Sequence, residues 1–245
     1  MRNFMLTLCY DGSRYRGWQK QCNTDNTIQA KLEALLSRLL EQPVEIAGSG
    51  RTDAGVHAMA QVCSFRAETG KDCETLLGEL RRYLPEDIGA LALKEASPRF
   101  HARLSCTEKT YAYRVWNSEE PCVFERKYLY CFPQALDIDA MRRAAGILTG
   151  RHDFRSFCGN VHMKKSTVRE LRSVEIERLG CELRLSFTGD GFLTNQVRIL
   201  TGTLLEVGAG LRQPEEMAGI LASLDRTAAG FTAPAQGLIL WKVRY

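Results

Sequence analysis

Ten residues constrain this chain more than any others. Gly48-Ser49-Gly50-Arg51-Thr52-Asp53-Ala54-Gly55-Val56-His57 follows a short strand-like run around Val44 to Ala47 and leads into Met59 to Phe65, which alternates as a strand does. The segment is therefore a strand-to-strand loop. Its three glycines permit positive φ and close approach of a ligand to the backbone, while Arg51, Thr52, Asp53 and His57 bring charge and hydrogen-bonding capacity. It lacks the Gly-Lys-Ser/Thr ending of a phosphate-binding loop and opens no helix, which argues against nucleoside triphosphate chemistry.

The flanking patterns mix strands and helices. Residues 3–10 alternate as a strand, and Asp11 to Gln19 is a glycine-punctuated loop holding Arg14, Tyr15, Arg16 and Trp18. Ile28, Leu32, Leu35, Leu36, Leu39 and Leu40 line one face of a helix that Asp25, Asn26 or Thr27 can cap and Pro43 stops. A second amphipathic helix spans about Asp72 to Leu84, and an apolar strand runs near Ile88 to Leu93. After a boundary near residue 104, Thr107 to Trp116 begins a second half. There Asp137 caps a helix to Leu148, Val168 to Ile176 pairs with Cys181 to Phe187, Phe192 to Val207 is an apolar helix, Pro214 to Leu224 is another, and Gly237 to Tyr245 is a final strand. Neither half keeps the strict βαβ alternation of a doubly wound sheet. The expected class is α+β, with an N-terminal lobe over 1–104 and a C-terminal lobe over 105–245, each mixing helices with largely antiparallel sheet.

Composition removes several other classes. Of 245 residues, 44% are apolar and 25% charged, a globular balance. No run approaches the roughly 18 uninterrupted apolar residues of a membrane span, and Met1 to Tyr10 is too short for the apolar stretch of a signal peptide. The nine cysteines are scattered and form no Cys-x-x-Cys pair, so neither a disulfide framework nor a zinc ribbon is expected, and the expected compartment is a reducing one, the cytoplasm. The four histidines show no metal-ligand spacing, so no metal is expected. The net charge of +4 is unevenly placed: Arg142 to Arg172 holds eight basic residues against two acidic, a net +6, which leaves −2 for the rest. Such a window is either a solvated surface or a face that binds a polyanion.

Asp53 admits two readings on spacing alone. It can be a turn residue held by nearby amides, or a carboxylate kept ionised by Arg51, as a nucleophile or general base requires. The surrounding residues carry a resemblance: Gly50-Arg51-Thr52-Asp53-Ala54-Gly55-Val56-His57-Ala58 is similar to the signature of the tRNA pseudouridine synthase A family, whose aspartate in this loop is catalytic. The likeness continues through Tyr10-Asp11-Gly12, Gly17-Trp18-Gln19, Thr27-Ile28-Gln29, Phe100-His101-Ala102-Arg103, Lys109-Thr110-Tyr111-Ala112-Tyr113, His152-Asp153-Phe154, Val197-Arg198, Asp225-Arg226, Ala233-Pro234-Ala235 and Gly237-Leu238.

That resemblance implies the pseudouridine synthase fold, with two lobes meeting at a central catalytic cleft. It also implies a homodimer that converts uridine to pseudouridine at positions 38–40 of the tRNA anticodon stem-loop. The reaction breaks N1–C1′, turns the uracil over and rejoins it through C5, without redox change or outside energy, so no cofactor or nucleotide is expected and a lone carboxylate suffices as covalent catalyst. Asp53 is then the nucleophile, and whether it attacks C6 or C1′, or acts through a glycal, stays open. By the same resemblance Tyr111 stacks on the uracil, the alternative being a core aromatic; on strand alternation Tyr113 shares its side. Arg51 looks like the arginine that replaces the flipped nucleotide, the alternative being an ion pair with Asp53. Arg198 sits in an apolar helical segment and needs a buried carboxylate or a phosphate, Asp53 being the candidate, unless it snorkels to the surface.

Arg14, Arg16, Trp18, Arg142, Arg143, Lys164 and Lys165 are candidate RNA contacts, phosphate-binding or stacking. One departure stands out: many relatives carry a His-Met or similar pair where this chain has Asn195-Gln196, which predicts altered pocket hydrogen bonding. Two other functions remain: a non-catalytic tRNA-binding or folding protein on the same fold, and an Asp-dependent phosphohydrolase or glycosidase, for which no second carboxylate motif is found.

Overall fold

Alternation along the first strand, β1 (Arg2–Tyr10), buries Phe4, Leu6, Leu8 and Tyr10 on one face. The computed structural model describes every residue from Met1 to Tyr245 and contains ten strands, most of them in antiparallel pairings, and five α-helices. Two compact units form. Met1–Thr107 together with Ile239–Tyr245 make the first, and Glu108–Leu238 the second.

In the first unit β1 lies between β3 (His57–Ala67) and β4 (Ile88–Glu95), antiparallel to both, with Phe4 opposite Phe65 and Glu95. A short strand, β2 (Ile46–Gly48), pairs antiparallel with β3 from Ile46↔Phe65 to Gly48↔Cys63. Helix α1 (Ile28–Leu40) begins where Thr27 accepts from the Ala30 N–H, and α2 (Cys73–Tyr83) where Asp72 accepts from Thr75. The division differs from a single cut at residue 104. The last strand, β10 (Leu238–Arg244), returns to the first unit and runs parallel to β3, with Ile239 opposite His57 and Leu240 opposite Ala58. Local periodicity gives the strand but holds no information about so distant a partner.

The second unit is built on β5 (Glu108–Trp116), which pairs antiparallel with β9 (Glu182–Gly189), itself antiparallel to β8 (Val168–Leu179). Two further strands, β6 (Tyr130–Cys131) and β7 (Gly150–Asp153), join β5 and β8. The helices are α3 (Ile138–Leu148), capped by Asp137, α4 (Gln196–Gly208) and α5 (Glu216–Ser223). Helix α4 starts four residues later than its apolar run suggests. Asn195 takes a left-handed conformation at φ 58, and the Gln196 side-chain carbonyl accepts from the Leu193 N–H at 2.8 Å, so the chain turns before the helix begins. No helix is long and apolar enough to cross a membrane.

Candidate active site

The first half of the loop between β2 and β3 is held by buried hydrogen bonds. Tyr10, at the end of β1, shares a hydrogen bond with Thr52 Oγ1 at 2.8 Å, and burial pushes its phenol well above the ordinary value, so it stays neutral. Gln61 on β3 accepts from Ser49 Oγ at 2.7 Å and donates to the Gly50 carbonyl at 3.0 Å. Ser49, Thr52 and Val56 are buried, whereas Arg51 is exposed and Asp53 half-buried. Satisfied buried polar groups of this kind fix a loop's geometry, since each would cost about 1–3 kcal/mol if left unpaired.

A second loop, residues 11–19, is wedged against the first. Gly12 donates to Nδ1 of buried His57 at 3.1 Å, Trp18 donates its backbone N–H to the Thr52 carbonyl at 3.0 Å, and the Val56 N–H returns to the Asp53 carbonyl at 3.1 Å. Gly55, at φ 79, is the third residue of that Asp53–Val56 turn, where a positive φ is required. A Cβ at Gly12 would stand 2.0 Å from the Val56 carbonyl oxygen, so only glycine lets the loops meet. The carbonyls of Gly17 and Trp18 in turn accept from Ile28 and Gln29, so the first turn of α1 and the Asp53 loop are braced by the same segment.

Trp18 is corrected by the structure. Only 1% of it is exposed, and its indole lies against the Gly48 backbone, so it supports the loop from inside and presents no face for a base. Trp18→Ala is expected to lower unfolding stability by about 3–5 kcal/mol, measured by urea denaturation; a midpoint within error of the wild type would show that the indole is not a support.

The other candidate RNA contacts are exposed. Arg14 forms a salt bridge with Asp87 at 2.6 Å, and Tyr15 donates to the same carboxylate. Arg142 is engaged by Asp139 at 3.0 Å and by the Ile176 carbonyl at 3.1 Å. Arg16, Arg143, Lys164 and Lys165 are exposed. Arg51 makes no ion pair with Asp53.

In the second unit, Tyr111 on β5 is 7% exposed and meets the Phe192 ring edge to face at 5.2 Å between centroids. Tyr113 is fully buried. Its hydroxyl donates to the Pro234 carbonyl at 2.7 Å, and burial raises its phenol while the Arg198 guanidinium opposes that rise. Tyr113 is thus a core residue tying β5 to the 233–235 segment. Arg198, on the first turn of α4, is only half-buried, and it donates Nε to the Ala233 carbonyl at 2.7 Å and Nη1 to Asn195 Oδ1 at 3.0 Å. Neutral acceptors therefore supply part of what an arginine in an apolar helix needs. Gln196, which follows Asn195, is buried, and its Nε2 has no partner.

Sequence reasoning missed Tyr10, Gln61, Phe192, Asn195 and Ala233 as supports. Tyr10 ends a strand beside a loop, and Asn195 precedes Arg198 by three residues, the spacing of one helix face, so these two signals were available, whereas Gln61 lies inside β3 and carries none. No group of three or more His, Cys, Asp or Glu side chains is placed to hold a metal ion.

A family model described as tRNA pseudouridine synthase matches residues 8–103 and 144–245, segments that include Arg51, Asp53 and Arg198 but not Tyr111. The chain belongs to the tRNA pseudouridine synthase family. It is 42% identical over 240 residues, 98% of each chain, to a tRNA pseudouridine synthase A of Bacillus sp. strain KSM-64. It is 41% identical over 245 residues, the whole of both chains, to a tRNA pseudouridine synthase A 2 of Clostridium perfringens. A third relative, from Clostridium tetani, carries the same name as the second and is 42% identical over 250 residues, covering 100% of this chain.

Proposed function

We propose that this chain is an isomerase that converts uridine to pseudouridine in tRNA, at positions 38–40 of the anticodon stem-loop, with Asp53 as the nucleophile. Full-length relatives named tRNA pseudouridine synthase A support the reaction. The observation that carries the residue assignment is the alternation within the loop: Ser49 and Thr52 are buried and hydrogen-bonded to Gln61 and Tyr10, while Arg51 and the partly exposed Asp53 lie between and beside them. A carboxylate meant to act covalently benefits from a backbone that does not move as the bond forms.

The chemistry balances without a co-reactant. Asp53 adds to the base or to the sugar, the N1–C1′ bond breaks, the detached uracil rotates within the pocket, C5 bonds to C1′, and loss of the C5 proton with release of Asp53 restores the carboxylate. Tyr111, with its ring braced by Phe192, supplies a stacking face for the uracil. Arg198 supplies positive charge for the carboxylate or a flanking phosphate, and Arg51, without an acidic partner to hold it, fills the space left when the nucleotide leaves the stack. Arg16, Arg143, Lys164 and Lys165, all exposed, neutralise tRNA phosphates. The protein acts in the cytoplasm as a homodimer; its nine free cysteines suit a reducing compartment.

An unmodified tRNA transcript incubated with the protein and then mapped for pseudouridine by carbodiimide labelling tests this reading. Pseudouridine is expected at one or more of positions 38–40. Modification confined to other positions would overturn the site assignment, and no modification would overturn the activity, leaving a tRNA-binding protein that light scattering and filter binding would characterise.

A further inference from the structure

We infer that Asn195 is a positioning residue for the reaction, one that sets the plane of the Arg198 guanidinium; the inference rests on Arg198 taking part in catalysis as proposed above. Asn195 is one of only three non-glycine residues with positive φ, at 58°, and it sits immediately before α4. Asparagine tolerates that conformation better than most residues but still gives up some stability relative to glycine there. A side chain retained at such a place needs a purpose. Its Oδ1 accepts from Arg198 Nη1 at 3.0 Å, three residues along the same helix face.

The second acceptor is equally fixed. Arg198 Nε donates to the Ala233 carbonyl at 2.7 Å, and the Ala233 N–H donates back to the Arg198 carbonyl at 3.1 Å. The segment carrying Ala233 is held by the Gly230 N–H on Thr203 Oγ1 at 2.9 Å, the Phe231 N–H on Glu206 at 3.1 Å, and Arg226 on the Gly230 carbonyl and Thr232 Oγ1, each at 3.0 Å. Asn195 is itself backed by Gly159, where a Cβ would come within 2.6 Å of Asn195 Nδ2, and the Gly159 N–H donates to the Thr194 carbonyl at 2.8 Å. Two of the three guanidinium nitrogens are thus tied to acceptors that cannot move independently. For a planar ion, two such points and the covalent stem determine its plane.

Asn195→Gly tests this directly, because glycine keeps the left-handed turn at no steric cost and removes only the acceptor. It is expected to lower kcat about tenfold to a hundredfold, the range for loss of a hydrogen bond to a charged group, with KM and melting temperature close to the wild type. Asn195→Asp, which preserves an oxygen at the same position, retains most of the wild-type kcat. In an Arg198→Lys background, where the fork is already gone, adding Asn195→Gly costs little more, a non-additivity that a merely structural role would not produce. Wild-type kcat in Asn195→Gly, equal losses in both backgrounds, or a loss in Asn195→Asp as deep as in Asn195→Gly overturns the inference. An Arg198→Ala variant separates the two levels: if it is inactive while Asn195→Gly is fully active, only the role of Asn195 fails; if it is itself fully active, the role of Arg198 fails with it.

Discussion

Asp53→Asn protein is expected to make no detectable pseudouridine, a fall in kcat of more than about 10⁴-fold, while binding tRNA with an affinity close to the wild type. Asparagine keeps the size of the side chain and its capacity to accept one hydrogen bond, so the clamped loop, with Thr52 on Tyr10 and Ser49 on Gln61, has no reason to rearrange. What is lost is the negative oxygen that forms and releases the covalent bond. Release of tritium from 5-labelled uridine in tRNA measures the conversion, and filter binding measures the affinity. Turnover within tenfold of the wild type would remove Asp53 from the chemistry, and unchanged binding alongside lost turnover would separate catalyst from binder.

The second large effect is in the backbone. Gly12→Ala places a methyl group 2.0 Å from the Val56 carbonyl oxygen and 2.6 Å from its carbon, and both are main-chain atoms of the turn that begins at Asp53. No side chain can swing aside, so the two glycine loops must part. A stability loss of about 2–4 kcal/mol is expected, together with a fall in kcat at temperatures where the variant is still folded, because the Asp53–Val56 turn is displaced with the loop. Gly78→Ala is the contrasting substitution. Gly78 lies inside α2 with open space around its Cα, and alanine there is expected to raise stability by about 0.5–1 kcal/mol. Thermal denaturation of the two variants compares them, and a Gly12→Ala protein as stable and active as the wild type would mean that the loops meet less closely than described.

The elements with strong periodicity were legible from sequence. The leucine face of α1 and the Asp137 cap fall where composition and spacing place them, and β8 pairs with β9 as expected. Three features were not. The strands β6 and β7 are only two and four residues long, too short to carry an alternation to detect. The start of α4 was hidden because Phe192 and Leu193 extend its apolar run, while the left-handed turn at Asn195 that ends it is a property of one residue's φ. Trp18, a candidate RNA contact beside its arginine neighbours, is buried because the glycine at position 48 leaves room for an indole, a complementarity between residues thirty positions apart. In the candidate site the residues that bear chemistry were recognisable by their pattern, and those that hold them were not, since a support is defined by what it touches.

The parallel pairing of Ile239 and Leu240 with His57 and Ala58 makes the first unit discontinuous in sequence. The whole of Glu108–Leu238 separates these partners in sequence, so their pairing closes a very long loop, and it is expected to form more slowly than the local pairing of β8 with β9.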